Sequence, residues 1–503
     1  MEYNIDYEIL SYPKYIKRLN KILNNPDNVY PVEKLENLGY TSCGFPIEHY
    51  KIGKGPIHVT YMGGAHGNEI IGVDFVTQLM QNLSLGKGSF RNFNPAIYTI
   101  DFIPCQNPEG YFTTTYALEQ LMGNMTHQEI EAFSKKYWSY YREDDIKVNK
   151  VNKILNSFVT EFSNAGTKED ITNFFWQKFL NKNITLDSMK EFLNNYYVNK
   201  DKLDELVDRE WQNNFGEVKE VDNTRYHTQM FNGVNLDLFP KYDEAHINLK
   251  NKLKDMYKDG LFPVGTLANF FANSDGINLN DNNPYFYEIT KERIAKYGNV
   301  YAKLRDNHIL KSVNGPIGLP NISMEEDFQY CPENEAILKY VQDQEQEHQY
   351  AALFNCHGTG GMLYTYPVDD DSKVKNFNFY INNRIATEYS RKTGNVYEEL
   401  TGTNNAYKVM GHPDKVTGFG DVLRSKYAAS FILELSKMGG NPIAPYGDYK
   451  GNYVPTMVAN FEAMMVTLKT ILELRNLYDL NYTVNYNDNG YANYEVISKN
   501  TRR

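Results

Sequence analysis

A strand, a glycine-rich loop and a helix follow one another between residues 57 and 83, and this order restricts the fold. Residues 57–62 (IHVTYM) alternate in the manner of a strand and lead into GGAHGNE at 63–69. Residues 70–83 (IIGVDFVTQLMQNL) then carry apolar side chains at helical spacing. The alternation recurs at 96–104, 351–354, 431–435 and a final helix at 458–474. It predicts an α/β fold with a mostly parallel sheet covered by helices on both faces.

The stretch from 112 to 222 has a different composition from the rest of the chain. It is charged, rich in Asn and poor in glycine, and Thr126 and Glu129 form a capping-box pattern before apolar residues at helical spacing. A chain of 503 residues is long enough for one large domain with an insertion. We therefore expect a single catalytic domain over 1–503 with an inserted helical subdomain at 112–222.

The net charge indicates which kinds of partner the protein binds, and the cysteine content indicates in which kind of compartment it works. The 52 basic and 63 acidic residues give a net charge of −11, which disfavours a nucleic-acid or anionic-membrane binder. Four cysteines without CxxC spacing fit a reducing compartment. No leader pattern and no 18-residue apolar run are present in the sequence, so we expect a cytoplasmic protein. The sequence leaves the oligomeric state open.

Three residues have the types and positions of metal ligands. His66 and Glu69 lie in a loop directly after a predicted strand, and His357 ends a second apolar strand, AALFNCH. Hydrolytic zinc sites take three such ligands and leave one position for water. Taken alone, the HxxE spacing arises often by chance, and a histidine at a strand end is commonly hydrogen-bonded within the fold. The combination of the three residues favours a metal site.

The order of the motifs along the chain resembles the zinc carboxypeptidase family. The similar segments are GYTSCGFPI at 39–47, GGAHGNE at 63–69, NPEG at 107–110, Arg225 followed by GVNLDLF at 233–239, CPENE at 331–335, FNCH at 354–357 and FILEL at 431–435. The resemblance implies a mixed, mostly parallel sheet of eight strands. It also implies one Zn²⁺ per chain at the carboxyl ends of the strands.

The resemblance further implies a role for each site residue. Zinc would be held by His66, Glu69 and His357, and Glu434 would act as general base toward the attacking water. Arg225 would stabilise the oxyanion, although an arginine at that position also fits an ordinary solvated surface. Tyr407 would cover the substrate, or else be a packed tyrosine.

One departure from the family bears on specificity. The Asn-Arg pair that holds a substrate's terminal carboxylate in the family falls on Asp237 and Leu238 in this alignment. Asp237 would repel a carboxylate and attract an amino group. Arg424 would supply a substitute positive charge, or else be a solvated or ion-paired arginine. This departure leaves cleavage from the chain end and internal cleavage both open.

The function expected is that of a zinc-dependent metallopeptidase, a hydrolase that cleaves peptide or peptide-like amide bonds. Bacterial members of the family that act on cell-wall muropeptides are an attractive subgroup, because an acidic subsite suits an amino-bearing substrate. Two alternatives are a small-molecule zinc deacylase or amidohydrolase and a binding protein of the same fold without catalytic activity.

Overall fold

The computed structural model describes most of the chain. The described residues are 2–162, 168–179, 182–222, 234–258, 264–280, 282, 328–347, 350–358, 360–365, 384–394, 396–399, 430–438, 442–477, 480–486 and 492–498. Of the side chains in the helix at 127–161, those of 137–145 are outside this description.

The strands and helices alternate along much of the chain. The strands are β1 (Glu33–Lys34), β2 (Gly39–Tyr40), β3 (Pro46–Ile47), β4 (Tyr50–Gly53), β5 (Ile57–Gly63), β6 (Tyr98–Ile103), β7 (Ile184–Thr185), β8 (Glu220–Val221), β9 (Tyr350–His357), β10 (Met362–Thr365), β11 (Val396–Glu399), β12 (Ser430–Glu434), β13 (Leu480–Tyr486) and β14 (Ala492–Ser498). The α-helices are α1 (Tyr12–Leu23), α2 (Ile70–Ser84), α3 (Pro108–Met122), α4 (His127–Glu161), α5 (Lys168–Lys178), α6 (Leu186–Leu193), α7 (Lys200–Phe215), α8 (Glu244–Lys258), α9 (Pro332–Glu347), α10 (384–393) and α11 (Val454–Leu477).

The central sheet has eight strands in the order β1-β4-β6-β5-β9-β12-β10-β11. Its four middle strands, β6, β5, β9 and β12, run parallel, and antiparallel β4 and β10 flank them. The predicted fold class is therefore confirmed. Because the middle strands are parallel, their carboxyl ends meet at one edge of the sheet.

Helices cover both faces of the sheet. Alternate residues of β5 point to opposite faces, so Val59 and Tyr61 join a core with α2 and α11, whereas Met62 packs with Ile337 of α9. Every residue of β5 and β6 is buried, as expected for interior strands of a sheet covered on both sides.

The helices after residue 122 build a second core. Side chains from the later part of α4 and from α5, α6 and α7 form an apolar cluster separate from the main one, including Phe158, Phe175 and Trp211. The earlier part of α4 packs on the main core, where Ile130 is buried and Ser134 donates a hydrogen bond to the carbonyl of Ile443. Thus α4, which begins at the capping box of Thr126 and Glu129, belongs to both cores.

The polar sequence from residue 480 onward contains a strand pair in the structure. Residues of β13 pair with β14 in antiparallel register, with Tyr482 opposite Val496. Tyr and Val alternate with polar residues there, which is the period of a strand.

Among the described residues, no helix combines the length and apolar character that crossing a membrane requires.

Candidate metal centre

Two neighbouring strands bring the three predicted ligands together. His66 and Glu69 lie in the loop that joins β5 to α2, and His357 is the last residue of β9, which pairs directly with β5. The loop turns sharply at Gly64, whose φ of +70° favours glycine, and a Cβ there would lie 2.7 Å from Val73 Cγ2. The sequence folds in this way because a buried strand must leave the sheet through a turn before α2 can pack back on it.

Both imidazoles point their Nδ1 atoms at the same carboxylate. His66 Nδ1 lies 2.9 Å from Glu69 Oε1, and His357 Nδ1 lies 2.9 Å from Glu69 Oε2. One ligand atom from each of the three residues falls within 4.8 Å of the others. Both histidines are buried, so the cluster lies below the surface.

The charges of the cluster support one another. Burial acts to raise the pKa of the Glu69 carboxyl, but the two adjacent imidazoles hold this pKa well below its usual range. Burial acts to lower the pKa of His357, but the Glu69 carboxylate outweighs it and the pKa is raised. Glu69 is therefore a carboxylate throughout the neutral range, ready to face a cation.

The outer nitrogens of the two imidazoles differ in their surroundings. His66 Nε2 donates to Asn278 Oδ1 at 3.1 Å, and the ring of Phe271 stacks on His66 at 3.7 Å between centroids. His357 Nε2 is buried and has no hydrogen-bond partner within the described part of the chain. The Phe271 carbonyl also accepts from the backbone N–H of Gly67 at 3.1 Å. The segment 271–278 thus contacts residues 64–69, which we call the ligand loop, at three points.

Asn278 was not predicted from the sequence, although a signal was present. The pattern Gly-Val-Asn-Leu at 233–236, used in the alignment to the family, recurs as Gly-Ile-Asn-Leu at 276–279. The structure brings the second copy, not the first, to His66.

The donor set fits zinc. Two imidazole nitrogens and one carboxylate are a common combination in catalytic zinc sites, which take bonds of about 2.0–2.2 Å. A divalent cation would take the place of the two Nδ1 protons. Each imidazole would then keep its proton on Nε2, the atom that in His66 already donates to Asn278.

Glu434 lies at the carboxyl end of β12, beside the cluster. β12 pairs in parallel with β9, and Glu434 is the register partner of His357. Neighbouring strands are about 4.8 Å apart, so the two residues lie side by side at the same edge. The Glu434 charge contributes to the raised pKa of His357, and its side chain is partly open to solvent.

The remaining predicted residues are not part of this cluster as described. Asp237 lies in a short 3₁₀ turn, Leu236–Leu238, with 76% of its side chain exposed, and pairs with Lys254 of α8. That pairing lowers the pKa of the Asp237 carboxyl. Arg225, Tyr407 and Arg424 lie outside the described residues.

Comparisons with known proteins agree with the motifs. Residues 21–169 match the family model described as zinc carboxypeptidase. No curated protein matches the sequence.

Three solved structures are similar to this chain at low identity. Bovine thrombin-activatable fibrinolysis inhibitor, in complex with tick carboxypeptidase inhibitor, is 11% identical, with 93% of this chain and 98% of that chain covered and a TM-score of 0.42. Carboxypeptidase A from Helicoverpa armigera is 11% identical, with 93% and 75% covered and a TM-score of 0.40. A metallo-carboxypeptidase from Burkholderia cenocepacia is 10% identical, with 92% and 70% covered and a TM-score of 0.35. These similarities are weak, and the fold assignment rests on the sheet itself. The family match therefore covers residues 21–169, the part of the chain that contains His66 and Glu69.

Proposed function

We propose that this chain is a zinc-dependent hydrolase that cleaves peptide or peptide-like amide bonds. The observation that carries the proposal is the convergence of two imidazole Nδ1 atoms on Glu69, with Glu434 next to His357 on the adjoining strand. A buried cluster of this composition with an accessible carboxylate beside it is what metal-assisted hydrolysis requires.

Each residue has a separate task in the proposed reaction. His66, Glu69 and His357 would hold one zinc ion, which when bound lowers the pKa of water and polarises a carbonyl. Glu434 accepts the proton of the attacking water and delivers it to the leaving amine, which a carboxylate open to solvent can do. Asn278 orients the imidazole of His66 through its Nε2–H. Arg225 as oxyanion partner and Tyr407 as substrate cover remain predictions from the family resemblance.

The choice of an amino-bearing substrate rests on Asp237. A muropeptide with a free amino group follows from an acidic subsite at Asp237, and in the structure the nearest cation, Lys254, already pairs with that carboxylate. We keep the amino-bearing substrate as a prediction that a substrate panel can test.

Elemental analysis of zinc-equilibrated, desalted protein tests the metal centre before any substrate is chosen. We expect about one zinc per chain in the parent and in Glu434→Gln, and little in the double variant His66→Ala, His357→Ala. Folding of all three is checked by circular dichroism. A folded parent that retains no more zinc than the double variant would refute the site.

A panel of peptide, muropeptide and acyl-amino-acid amides then tests the reaction. The expected result is cleavage of a peptide-type amide by the parent, with kcat lower by at least about 10²-fold in Glu434→Gln, as loss of a general base predicts. Turnover of acyl-amino acids alone would indicate a deacylase. Equal rates in the parent and in Glu434→Gln would remove Glu434 from the mechanism.

A further inference from the structure

Two carboxyl groups are buried together behind the metal centre, at the starts of α3 and α9. Glu109 and Glu333 both have no exposed surface. Both oxygens of Glu109 accept backbone N–H groups, Oε1 from Cys43 at 2.8 Å and Oε2 from Ser274 at 2.9 Å. Glu333 accepts from Asn273 Nδ2 at 3.3 Å and 3.2 Å.

Both carboxyl groups therefore hold the same short segment, residues 273–278, which we call the Asn273 loop. Asn273 organises this loop, since its Oδ1 accepts from the N–H groups of Asp275 and Ile277, each at 3.0 Å. The loop ends at Asn278, whose Oδ1 accepts from His66 Nε2. Hydrogen bonds and the short backbone of this loop thus connect the two glutamates to a proposed metal ligand.

We propose that Glu109 and Glu333 act as positioning residues that hold the Asn273 loop, and with it Asn278, against His66. Glu333 holds the loop in its protonated form at neutral pH. The consequence for metal binding rests on the proposed function. The hold of the two glutamates on the Asn273 loop, which we call the clamp, can be tested in metal-free protein.

The surroundings of Glu333 explain why it stays protonated. Burial, followed by the neighbouring charge of Glu109, raises the pKa of Glu333 to about 8. Directly before α9 lies Cys331. Burial raises the pKa of its thiol well above the usual value. Cys43, in the turn between β2 and β3, is likewise a neutral thiol, because burial and the charge of Glu109 raise its pKa to about 12. Lys252 of α8 interacts with Glu109 but is engaged by Asp275.

A change of pH therefore acts on the loop in a defined direction. When the loop opens, Glu333 reaches water and its pKa returns toward the ordinary 4.5, so opening is accompanied by loss of a proton. Between about pH 5 and pH 8, opening becomes easier as the pH rises, and above about pH 8 the effect levels off.

Two isosteric variants separate the roles of the carboxyl groups. Glu333→Gln keeps an oxygen for Asn273 and stays neutral, so it imitates the protonated acid at every pH. Glu109→Gln loses an acceptor for one backbone N–H, because its amide nitrogen cannot accept. Each variant replaces one carboxyl group at a fully buried position by an amide of the same size, so the two variants are matched in size and burial.

The first measurement is hydrogen exchange of the amides in 271–279 in metal-free protein at pH 6 and pH 8, corrected for intrinsic rates. We expect the opening equilibrium in the parent to rise tenfold or more over this range, and to stay constant within about twofold in Glu333→Gln. Equal pH dependence in the two proteins would overturn the proposal, whether or not either binds zinc.

The second measurement is zinc affinity at pH 7, by competition with a chromophoric chelator. We expect binding about 10–100-fold weaker in Glu109→Gln, as for loss of a group that orients a ligand, and unchanged within about twofold in Glu333→Gln. A folded Glu109→Gln that binds zinc as tightly as the parent would overturn the link to His66. A parent that binds no zinc would contradict the proposed function, while the exchange experiment would still decide the clamp.

Discussion

At the scale of single residues, the imidazole of His66 is held on three sides. Glu69 faces its Nδ1, Asn278 faces its Nε2, and Phe271 covers one ring face. A neutral imidazole has one nitrogen that donates a hydrogen bond and one that can bind a metal. A hydrogen-bond acceptor beside one nitrogen holds the proton there and leaves the other nitrogen for the metal. Asn278 Oδ1 can only accept, so it assigns the proton to Nε2 and leaves Nδ1 for the cation.

Asn278→Ala removes that acceptor, and we expect zinc affinity to fall about 10–100-fold because the ring loses its orientation. Asp237→Asn is the control, since it changes a polar residue that the sequence alignment selected but that lies exposed beside Lys254. Competition with a chelator should give the same zinc affinity for Asp237→Asn and the parent. The expectation fails if the two variants weaken zinc binding equally.

Glu333 also predicts how stability depends on pH. Its pKa is raised in the folded protein, so its contribution is fully present below about pH 4.5 and is lost as the pH rises through about 8. The free energy of unfolding of the parent should fall more steeply than that of Glu333→Gln, by up to about 1.4 kcal/mol per pH unit within this window. Urea unfolding at pH 5, 6, 7 and 8 measures the difference, and parallel curves would refute it.

At the scale of elements, three segments of backbone pack closely against one another at the site. A Cβ on Gly67 would lie 2.2 Å from the carbonyl carbon of Gly110, and a Cβ on Gly110 would lie 2.5 Å from the carbonyl oxygen of Ala272. The ligand loop, the start of α3 and the segment before the Asn273 loop therefore have no room between them. Glycine is required here for close approach of backbones.

Gly67→Ala should shift the ligand loop, destabilise the fold by about 1–3 kcal/mol and weaken zinc binding, because backbone atoms cannot move aside as a side chain can. Gly216→Ala is the control: its φ of +60° is strained for alanine, but a Cβ there meets nothing within 4 Å. We expect Gly216→Ala to leave zinc affinity unchanged. Thermal unfolding and chelator competition on both variants check this, and equal zinc affinity in Gly67→Ala and the parent would count against it.

The elements that could be predicted from sequence are those with a local signal. The strand at 57–62, the loop at 63–69 and α2 follow from periodicity and glycines, and the same reasoning placed His357 at the end of β9. Asn278 could not be placed in this way, because Gly-x-Asn-Leu occurs twice and only the folded chain brings one copy to His66. The pairing of Glu109 with Glu333 likewise joins residues more than 200 positions apart, which no local pattern encodes.

At the scale of the whole molecule, two apolar cores are joined by one helix. Tyr116 and Leu118 of α3 and Ile130 of α4 pack in the main core, whereas Val151 and Leu155 of α4 pack in the second. We propose that 112–222 is an insertion in a single catalytic domain over 1–503, and the separate second core supports this division. The first part of the stretch, α3, nevertheless packs with the main core.

Phe175→Ala should disrupt the second core without emptying the metal centre. Phe175 is fully buried there, and loss of such a ring costs about 3–5 kcal/mol. Hydrogen exchange should show lost protection in α5, α6 and α7, with zinc content unchanged. Val198→Ala, a fully exposed position in the same region, is the control and should change neither. Loss of zinc together with the helices would show that the two cores unfold as one unit.

The continuity of α4 makes it a stiff lever. About 27 residues separate Ser134, which is tied to Ile443, from the end of the helix at Glu161, and at 1.5 Å per residue this part is about 40 Å long. A tilt of about 5° at the tied end would move the far end by about 3 Å, as the length of the helix dictates. Small tilts at the tied end would therefore be magnified in the second core, and a spectroscopic label at the outer end of α4 would report them.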